Sequence, residues 1–246
     1  MKKNITIKNN IPTTFLKNKR INSSNLIISN TLNNIFREIN NKEDTFHLLS
    51  KKYKFSFKVK SLKKFRKFKK VIIIGMGGSI LGTKTIYSFL GHKVKKKFLF
   101  LDNLNEEIIK DLEENKKRAN SLFVIVSKSG NTIETLTNIN LLKRGKLNHL
   151  NTIIITEKNN NTLNSLSKKM KVSTIEHKNY IGGRYSVLSE TGMIPAYFMG
   201  LKIKDFRKNI LDYFKKKEKK IVNRECFKNN RNLFKQTDQF NYFIKL

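Results

Sequence analysis

The sequence is poor in several residue types, and each shortage excludes a class of protein. Of its 246 residues, one is cysteine, two are proline and none is tryptophan. The single Cys226 excludes an intramolecular disulfide and a cysteine-based zinc site, and it indicates a reducing compartment. The four histidines lack the spacing of metal ligands, so we expect no metal site. They are His47, His92, His149 and His177.

Long apolar segments are also missing. No apolar run approaches the roughly 18 residues that a membrane-spanning helix needs. The N-terminal MKKNITIKNN is basic, but neither an apolar segment nor a cleavage site of small residues follows it, so a secretory signal peptide is not expected. We therefore predict a cytoplasmic protein with no membrane partner.

Acidic residues are scarce, and arginine is scarce among the basic ones. Only 18 Asp and Glu oppose 52 Lys and Arg, which gives a formal net charge of +34 at pH 7. Such a charge is typical of proteins that bind nucleic acid. Nucleic-acid surfaces rely on arginine, however, and only nine of these basic residues are arginine. Lys, Asn, Ile and Phe have A/T-rich codons, so we attribute the charge mainly to nucleotide bias and expect no nucleic-acid partner. Nucleic-acid binding stays as a less favoured alternative.

From residue 71 onward, short apolar runs alternate with segments of helical pattern. The runs are typical of strands that are covered on both faces. They lie at 71–74, 98–101, 122–126, 153–155 and, more weakly, 172–175. The helical segments between them lie at about 79–90, 105–117, 132–143 and 162–169. This alternation predicts an α/β fold with a doubly wound parallel sheet and flanking helices. Further helices are predicted at 26–39, 187–201 and 204–220.

Ligands of doubly wound sheets bind at the carboxyl ends of the strands. The first loop there carries Gly75, Gly77 and Gly78 and leads through Ser79 into a helix. Its glycines allow a close backbone approach to a ligand, and the helix N-terminus favours an anion. The segment fits neither a P-loop nor a dinucleotide fingerprint, although Asp102 loosely suits a ribose-binding role. The alternative is a plain turn between strand and helix.

A second loop follows the third predicted strand and is rich in hydroxyl groups. Ser127, Lys128, Ser129 and Thr132 lie between that strand and the next helix. Hydroxyl and backbone N–H donors hold a phosphate monoester without a metal. Helix capping is the alternative, but capping requires only one such residue. We therefore favour a phosphate site.

A third segment, GGRYSVLS, places Arg184 directly after two glycines. An arginine held in this way can act as a fixed cation for an oxyanion. The alternative is a surface arginine in a loop. The functional interpretation gains weight because the chain uses arginine sparingly.

Taken in order, GMGGSILGTK, SKSGNTIET and GGRYSVLSETGMIP resemble signature segments of the glucose-6-phosphate isomerase family. Members of this family are aldose–ketose isomerases built from two sugar-isomerase (SIS) domains. The third segment is highly specific, whereas the second is shared with other SIS proteins. The resemblance covers residues from about 70 to 200 and corresponds to the first SIS domain of a longer enzyme. It implies a sheet of the SIS, flavodoxin-like type.

The resemblance also assigns roles. Gly78 and Ser79 would contact the substrate, and Arg184 would stabilise the enediol(ate) intermediate of the interconversion of glucose 6-phosphate and fructose 6-phosphate. The residues that would hold the sugar phosphate are Ser127, the Lys128 backbone, Ser129 and Thr132. The complete enzyme would be a glycolytic homodimer that needs no cofactor. Glu190 departs from the family, which often has a small or apolar residue there.

The general base and the ring-opening residues match nothing in this chain. In the family they are a Glu, a His and a Lys from the second SIS domain and the C-terminal region, and the His comes from the partner subunit. His177 matches no family motif, and Glu134 is expected to brace the phosphate loop. We therefore expect a truncated chain with weak or no turnover. A non-catalytic SIS-type sugar-phosphate-binding protein is the alternative.

The predicted domain organisation follows from the resemblance. Residues 1–69 would form an N-terminal helical or irregular extension, and 70–200 the first SIS sugar-phosphate-binding domain. Residues 201–246 would form a helical linker and the start of a truncated second SIS domain.

Overall fold

The computed structural model describes residues 21–104, 121–142 and 147–212. The chain divides into two compact units, one formed by Glu38–Lys208 and the other by Met1–Arg37 with Asn209–Leu246. All seven predicted site residues lie in the first unit. The predicted helix at 105–117 lies outside the described residues, as does Cys226.

The first unit is built on one parallel sheet of five strands. In chain order the strands are β1 Lys70–Ile74, β2 Lys97–Leu101, β3 Ser121–Val126, β4 Thr152–Thr156 and β5 Ser173–Glu176. Their order in the sheet is β2-β1-β3-β4-β5, and every neighbouring pair is parallel. This is the flavodoxin-like order, so the predicted fold class is confirmed.

The α-helices of the described residues are α1 Ile21–Asn40, α2 Val59–Leu62, α3 Gly78–Leu90, α4 Ile133–Leu142, α5 Thr162–Met170, α6 Glu190–Phe198 and α7 Ile203–Arg207. Helix α1 belongs mostly to the other unit, and helices of the first unit cover both faces of the sheet. A 3₁₀ helix at Gly183–Leu188 precedes α6. The predicted helix at 187–201 was wrong at its start, because the Ser189 side chain caps α6 by accepting from the amide of Thr191.

The predicted helix at 204–220 is interrupted at residues 208 and 209, whereas 204–207 and 210–212 are helical. Helix α7 ends at Arg207, and Asn209 has a φ of 63°, a left-handed conformation that interrupts an α-helix. Residues beyond 212 of this prediction lie outside the described part of the chain. No helix among the described residues is long and apolar enough to cross a membrane.

The apolar runs form strands because both faces of the sheet are covered. Successive side chains of a strand point to opposite faces. Val71 and Ile73 therefore pack into the core shared with α3 and α6, whereas Ile72 and Ile74 pack into the core shared with α4 and α5. All four side chains are fully buried, which favours folding by roughly 1.5–3 kcal/mol each. The two cores fix the sheet, and the loops at its carboxyl edge carry the site.

Candidate active site

A cleft of about 480 Å³ opens at the carboxyl edge of the sheet, where the loops after β1, β3 and β4 meet the Arg184 segment. Its lining residues are Met76, Gly78, Ser79, Lys128, Ser129, Thr132, Glu157, Gly183 and Arg184. Six of the seven predicted site residues are among them. The seventh, Ser127, is buried beneath the cleft rather than on its surface. The structure therefore brings three predicted segments together in one cleft. The first and the last of them are more than 100 residues apart in the sequence.

Hydrogen bonds between side chains shape the loop at 127–132, which we call the phosphate loop. The Ser127 hydroxyl lies 2.9 Å from the Thr132 hydroxyl and accepts from the backbone amide of Gly130 at 3.2 Å. The Ser129 hydroxyl accepts from the amide of Asn131 at 3.3 Å. Ser129 is exposed and Thr132 is half-buried, so their hydroxyls face the cleft while Ser127 supports them. Three hydroxyls therefore take part in this loop, which is more than one helix cap requires.

Helix α5 braces the phosphate loop from behind. The Asn131 side chain accepts from the amide and the hydroxyl of Thr162 at 2.9 and 2.8 Å. Gly130 has a φ of +69°, and a Cβ atom there would lie 2.2 Å from Oδ1 of Asn161. Asn161 itself caps α5 by accepting from the amide of Asn164. A side chain at position 130 would therefore disturb both the loop and the helix cap.

The first loop contacts the backbone of the Arg184 segment at Gly78. A Cβ atom on Gly78 would lie 2.6 Å from the carbonyl carbon of Gly183 and 2.7 Å from the amide nitrogen of Arg184. Glycine at 78 is therefore required so that the start of α3 can touch the Arg184 segment. Gly77 has a φ of +50°, which explains why two consecutive glycines occur here.

The 3₁₀ helix at Gly183–Leu188, which we call the arginine turn, packs against two further glycines. A Cβ atom on Gly82 of α3 would lie 2.8 Å from Cβ of Val187, and one on Gly192 of α6 would lie 1.9 Å from the Val187 carbonyl oxygen. The backbone of this turn thus fits between α3 and α6. Arg184 itself is exposed at the cleft. A rigid backbone that presents an exposed guanidinium suits a fixed cation for an oxyanion.

Glu190 is fully buried, and its partners explain how a carboxylate is tolerated where the resembling family often has a small or apolar residue. Its carboxylate accepts from the hydroxyl of Tyr53 at 2.8 Å and from the amide of Ser56 at 2.7 Å. The Arg207 guanidinium lies 4.6 Å from the centre of the Tyr53 ring. Burial, followed by the Glu190 charge, raises the pKa of Tyr53. Glu190 therefore secures the segment before β1 to the start of α6.

Sequence reasoning missed Met76, Gly183 and Glu157 as cleft residues. Glu157 follows β4, and the carboxyl end of that strand was the available signal. Its carboxylate lies 3.5 Å from Nζ of Lys128 and accepts from the Asn159 side chain at 3.1 Å. Nζ of Lys128 also donates to the Asn179 carbonyl oxygen at 2.7 Å. The lysine charge is thus engaged at one flank of the cleft.

Two groups that were weighed as bases do not line the cleft. Glu134 lies in the first turn of α4 and is half-buried. His177 is buried after β5, where its Nδ1 lies 3.0 Å from the Lys178 carbonyl oxygen. Burial lowers the pKa of His177, and the charge of Lys128 lowers it further.

The dinucleotide alternative for the first loop has little support. Oδ2 of Asp102 is ion-paired with Nζ of Lys84 of α3, so one oxygen of this carboxylate is already engaged. Among the described residues, no group of three or more His, Cys, Asp or Glu side chains is arranged to hold a metal ion.

A larger cavity of about 700 Å³ lies elsewhere in the first unit. Its lining residues are Lys42, Glu43, His47, Lys52, Tyr53, Lys54, Lys178, Asn179 and Tyr180. It contains none of the glycine and serine loops of the cleft. We therefore place the candidate site in the smaller cleft.

Comparison with known proteins agrees with the geometry. A family profile described as phosphoglucose isomerase matches residues 3–229. The chain is 33% identical to glucose-6-phosphate isomerase of Methanocaldococcus jannaschii over 168 aligned residues. The alignment covers 66% of this chain and 40% of that protein. It is also 36% identical to glucose-6-phosphate isomerase of Borreliella afzelii over 141 aligned residues, which make up 52% of this chain and 26% of that protein.

Solved structures show the same relationship. The crystal structure of a glucose-6-phosphate isomerase from Chlamydia trachomatis aligns with a TM-score of 0.50 at 26% identity over 59% of this chain and 29% of that one. A hypothetical protein from Thermus thermophilus aligns with a TM-score of 0.59 at 21% identity over 80% of this chain and 50% of that one, which supports the fold alone.

The parallel sheet of order β2-β1-β3-β4-β5 with helices on both faces defines the class of doubly wound α/β proteins. Since the family profile covers most of its length, the chain belongs to the phosphoglucose isomerase family. It spans less than half the length of the curated relatives named above.

Proposed function

We propose that the protein acts in the reversible isomerisation of glucose 6-phosphate and fructose 6-phosphate through an enediol(ate) intermediate, as a glycolytic and gluconeogenic aldose–ketose isomerase. The observation that carries the proposal is the shared cleft, in which the phosphate loop and Arg184 line one space. Isomerisation of a sugar phosphate requires residues that hold the phosphate and a cation that stabilises the oxyanion as it develops.

In this proposal each cleft residue has one task. The hydroxyls of Ser129 and Thr132 and the backbone of Lys128 hold the phosphate, while Ser127 supports them from below. Gly78 and Ser79 contact the sugar, and Arg184 stabilises the enediolate. No cofactor takes part.

The remaining parts of the proposal concern the complete enzyme. The general base and the ring-opening residues are missing from this chain, and the complete enzyme is a cytoplasmic homodimer. Within the chain, residues 1–69 form an extension, 70–200 the first SIS domain, and 201–246 a linker with the start of a second SIS domain. Neither Glu134 nor His177 lines the cleft, which supports a base from elsewhere.

Calorimetric titration of the 246-residue chain tests the phosphate grip with glucose 6-phosphate and the cation with a phosphorylated sugar acid, whose carboxylate resembles the enediolate. We expect Thr132→Val to weaken binding of glucose 6-phosphate, and Arg184→Ala to weaken binding of the sugar acid, by about tenfold each, because a charge-assisted or phosphate hydrogen bond contributes roughly 1.4 kcal/mol or more. Arg37→Ala is the matched control, since Arg37 lies in α1 and is exposed. Unchanged affinity in both cleft variants would contradict the proposal.

A coupled isomerase assay tests the missing base. We expect little or no turnover by the chain alone. Near-normal turnover that survives His177→Gln and Glu134→Gln would refute that part of the proposal. Tight fructose 6-phosphate binding without turnover in a complete natural protein would favour the non-catalytic alternative, and salt-sensitive DNA retention unaffected by Arg184→Ala would favour nucleic-acid binding.

A further inference from the structure

Glu157 is an unexpected residue in a cleft built for an anion. Of the nine residues that line the cleft, Lys128, Glu157 and Arg184 carry charge. Lys128 is already paired with Glu157 and bonded to the Asn179 carbonyl. Among the described residues, Arg184 forms no ion pair. The cleft therefore offers one unpaired cation and one fixed carboxylate.

The strand order places these two charges on opposite flanks of the phosphate loop. Strand β3 lies between β1 and β4 in the sheet, so the phosphate loop after β3 lies between the loops that follow β1 and β4. Arg184 belongs to the β1 flank, since its amide nitrogen approaches Gly78. Glu157 belongs to the β4 flank, where its amide donates to the Lys128 carbonyl oxygen at 3.1 Å.

The Glu157 carboxylate is also held in place. It is confined by Lys128 on one oxygen and by the Asn159 side chain on the other, and its side chain is only 19% exposed. Water therefore screens this charge less than it would screen a carboxylate on an open surface. An anion in the cleft would share one space with this charge.

This arrangement matters because a glycine-rich loop after the first strand of a doubly wound sheet is a common site for a diphosphate. We propose that Glu157 is a specificity-determining residue that restricts the cleft to phosphate monoesters and discriminates against diphosphates. The phosphate loop satisfies one phosphoryl group, and a second one attached to it gains no unpaired cation on the β4 flank but meets the Glu157 carboxylate. The inference rests on the proposed function of the cleft as a sugar-phosphate site.

Inorganic phosphate and pyrophosphate are the direct probes of this charge. We expect the unchanged chain to show little preference for pyrophosphate, and Glu157→Gln to strengthen pyrophosphate binding about fivefold relative to phosphate, because the substitution removes the carboxylate charge and releases Nζ of Lys128 from its ion pair. Both affinities are measured by calorimetric titration at a fixed ionic strength. Glu157→Ala should change the ratio of the two affinities in the same direction, which excludes an effect of the new amide.

Glu176→Gln is the matched control. Glu176 ends β5, is exposed and does not line the cleft, yet its loss changes the net charge of the protein by the same amount. It should alter the ratio of the two affinities less than twofold. Competition with glucose 6-phosphate shows that pyrophosphate occupies the cleft and not another basic surface of this strongly charged protein.

The possible outcomes separate the two proposals. A ratio in both Glu157 variants that stays within twofold of the unchanged chain, with glucose 6-phosphate still bound, overturns the role of Glu157 and leaves the proposed function intact. Pyrophosphate that glucose 6-phosphate does not displace also overturns that role. If the unchanged chain binds neither phosphate nor glucose 6-phosphate, the proposed function fails, and the inference fails with it.

Discussion

The phosphate loop and the arginine turn face the same cleft but are held in place by different means. In the phosphate loop, side chains form the structure, since Ser127 bonds to Thr132 and to the backbone of Gly130. The arginine turn instead packs directly against glycines of α3 and α6. These contacts are too short for any residue with a Cβ atom at the glycine positions. Hydroxyl hydrogen bonds occur in both, since Ser186 donates to the Gly183 carbonyl oxygen at 2.7 Å, but only the arginine turn is held between two helices by direct contacts of its backbone.

This difference predicts different responses to substitution. A hydrogen bond lost within a partly accessible loop costs about 0.5–1.5 kcal/mol, or somewhat more when it leaves a buried group unpaired. A methyl group forced into closely packed backbone costs more, because neither side can move without disturbing a helix. The arginine turn should therefore be the more sensitive region, and the following substitutions test that order.

The largest effect is expected at Gly192 of α6. A Cβ atom there would lie 1.9 Å from the Val187 carbonyl oxygen and 2.8 Å from its carbonyl carbon. We expect Gly192→Ala to lower the free energy of unfolding by about 3 kcal/mol or more, measured by urea unfolding followed by far-UV circular dichroism. Gly91→Ala is the control, because Gly91 has no atom within 4 Å of the added Cβ and a φ of −53°. If Gly192→Ala lowers the free energy of unfolding no more than the control does, the arginine turn can shift to accommodate the added methyl group.

A smaller and more specific effect is expected where the first loop meets the arginine turn. Gly78→Ala should cost about 2 kcal/mol and weaken glucose 6-phosphate binding, since the added Cβ would displace Gly183 and Arg184. Gly183→Ala should cost less than about 1 kcal/mol, because its Cβ would meet Gly78 only at 3.8 Å. Urea unfolding compares the two variants directly. Equal losses would contradict the claim that only one side of this contact requires glycine.

In the phosphate loop, Ser127→Ala should cost about 1–2 kcal/mol. The substitution removes the bond to Thr132 and leaves the buried Gly130 amide without its acceptor. Binding of glucose 6-phosphate should weaken in parallel, because Thr132 loses its support. Ser129→Ala is the comparison within the loop, since Ser129 is exposed and should affect binding much more than stability. A Ser127 variant that binds and unfolds as the unchanged chain does would remove the distinction between the two regions.

The smallest effect concerns His177, in the segment that joins β5 to the arginine turn. Burial holds its pKa below the ordinary value of 6.5, and among its charged neighbours Lys128 lowers the pKa whereas Glu190 and Glu157 raise it. The unfolded chain takes up a proton near pH 6.5 that the folded protein does not, so the free energy of unfolding falls as the pH drops below that value.

His177→Gln should therefore flatten the decline in stability between about pH 7 and pH 5. Urea unfolding at several pH values measures the slope, and exposed His92→Gln is the control. An unchanged slope in the His177 variant would show that its ionisation is not coupled to folding.

The sheet could be predicted from the sequence because its apolar runs are continuous and too short to span a membrane. Such runs are typical of strands that are buried on both faces. The residues of the cleft could also be predicted in large part, because Ser129, Thr132 and Arg184 follow strand ends or glycine pairs. Glu157 was missed although it follows the end of β4, and the role of Gly82 could not be predicted because it depends on a contact with Val187, which is distant in sequence. The start of α6 was misjudged because the apolar pattern continues through the 3₁₀ helix, and only the Ser189 cap shows where the α-helix begins.

The strand order also has a consequence for synthesis on the ribosome. After β1 has emerged, β2 adds to one side of it, and β3, β4 and β5 then add in turn on the other side. Chains fold from the N-terminus as they are made. The phosphate loop can therefore reach its braced form once Asn161 and Thr162 have left the exit tunnel. The arginine turn must wait until Gly192 has emerged and α6 can close over Val187. We expect the nascent protein to form the phosphate loop first and the arginine turn last.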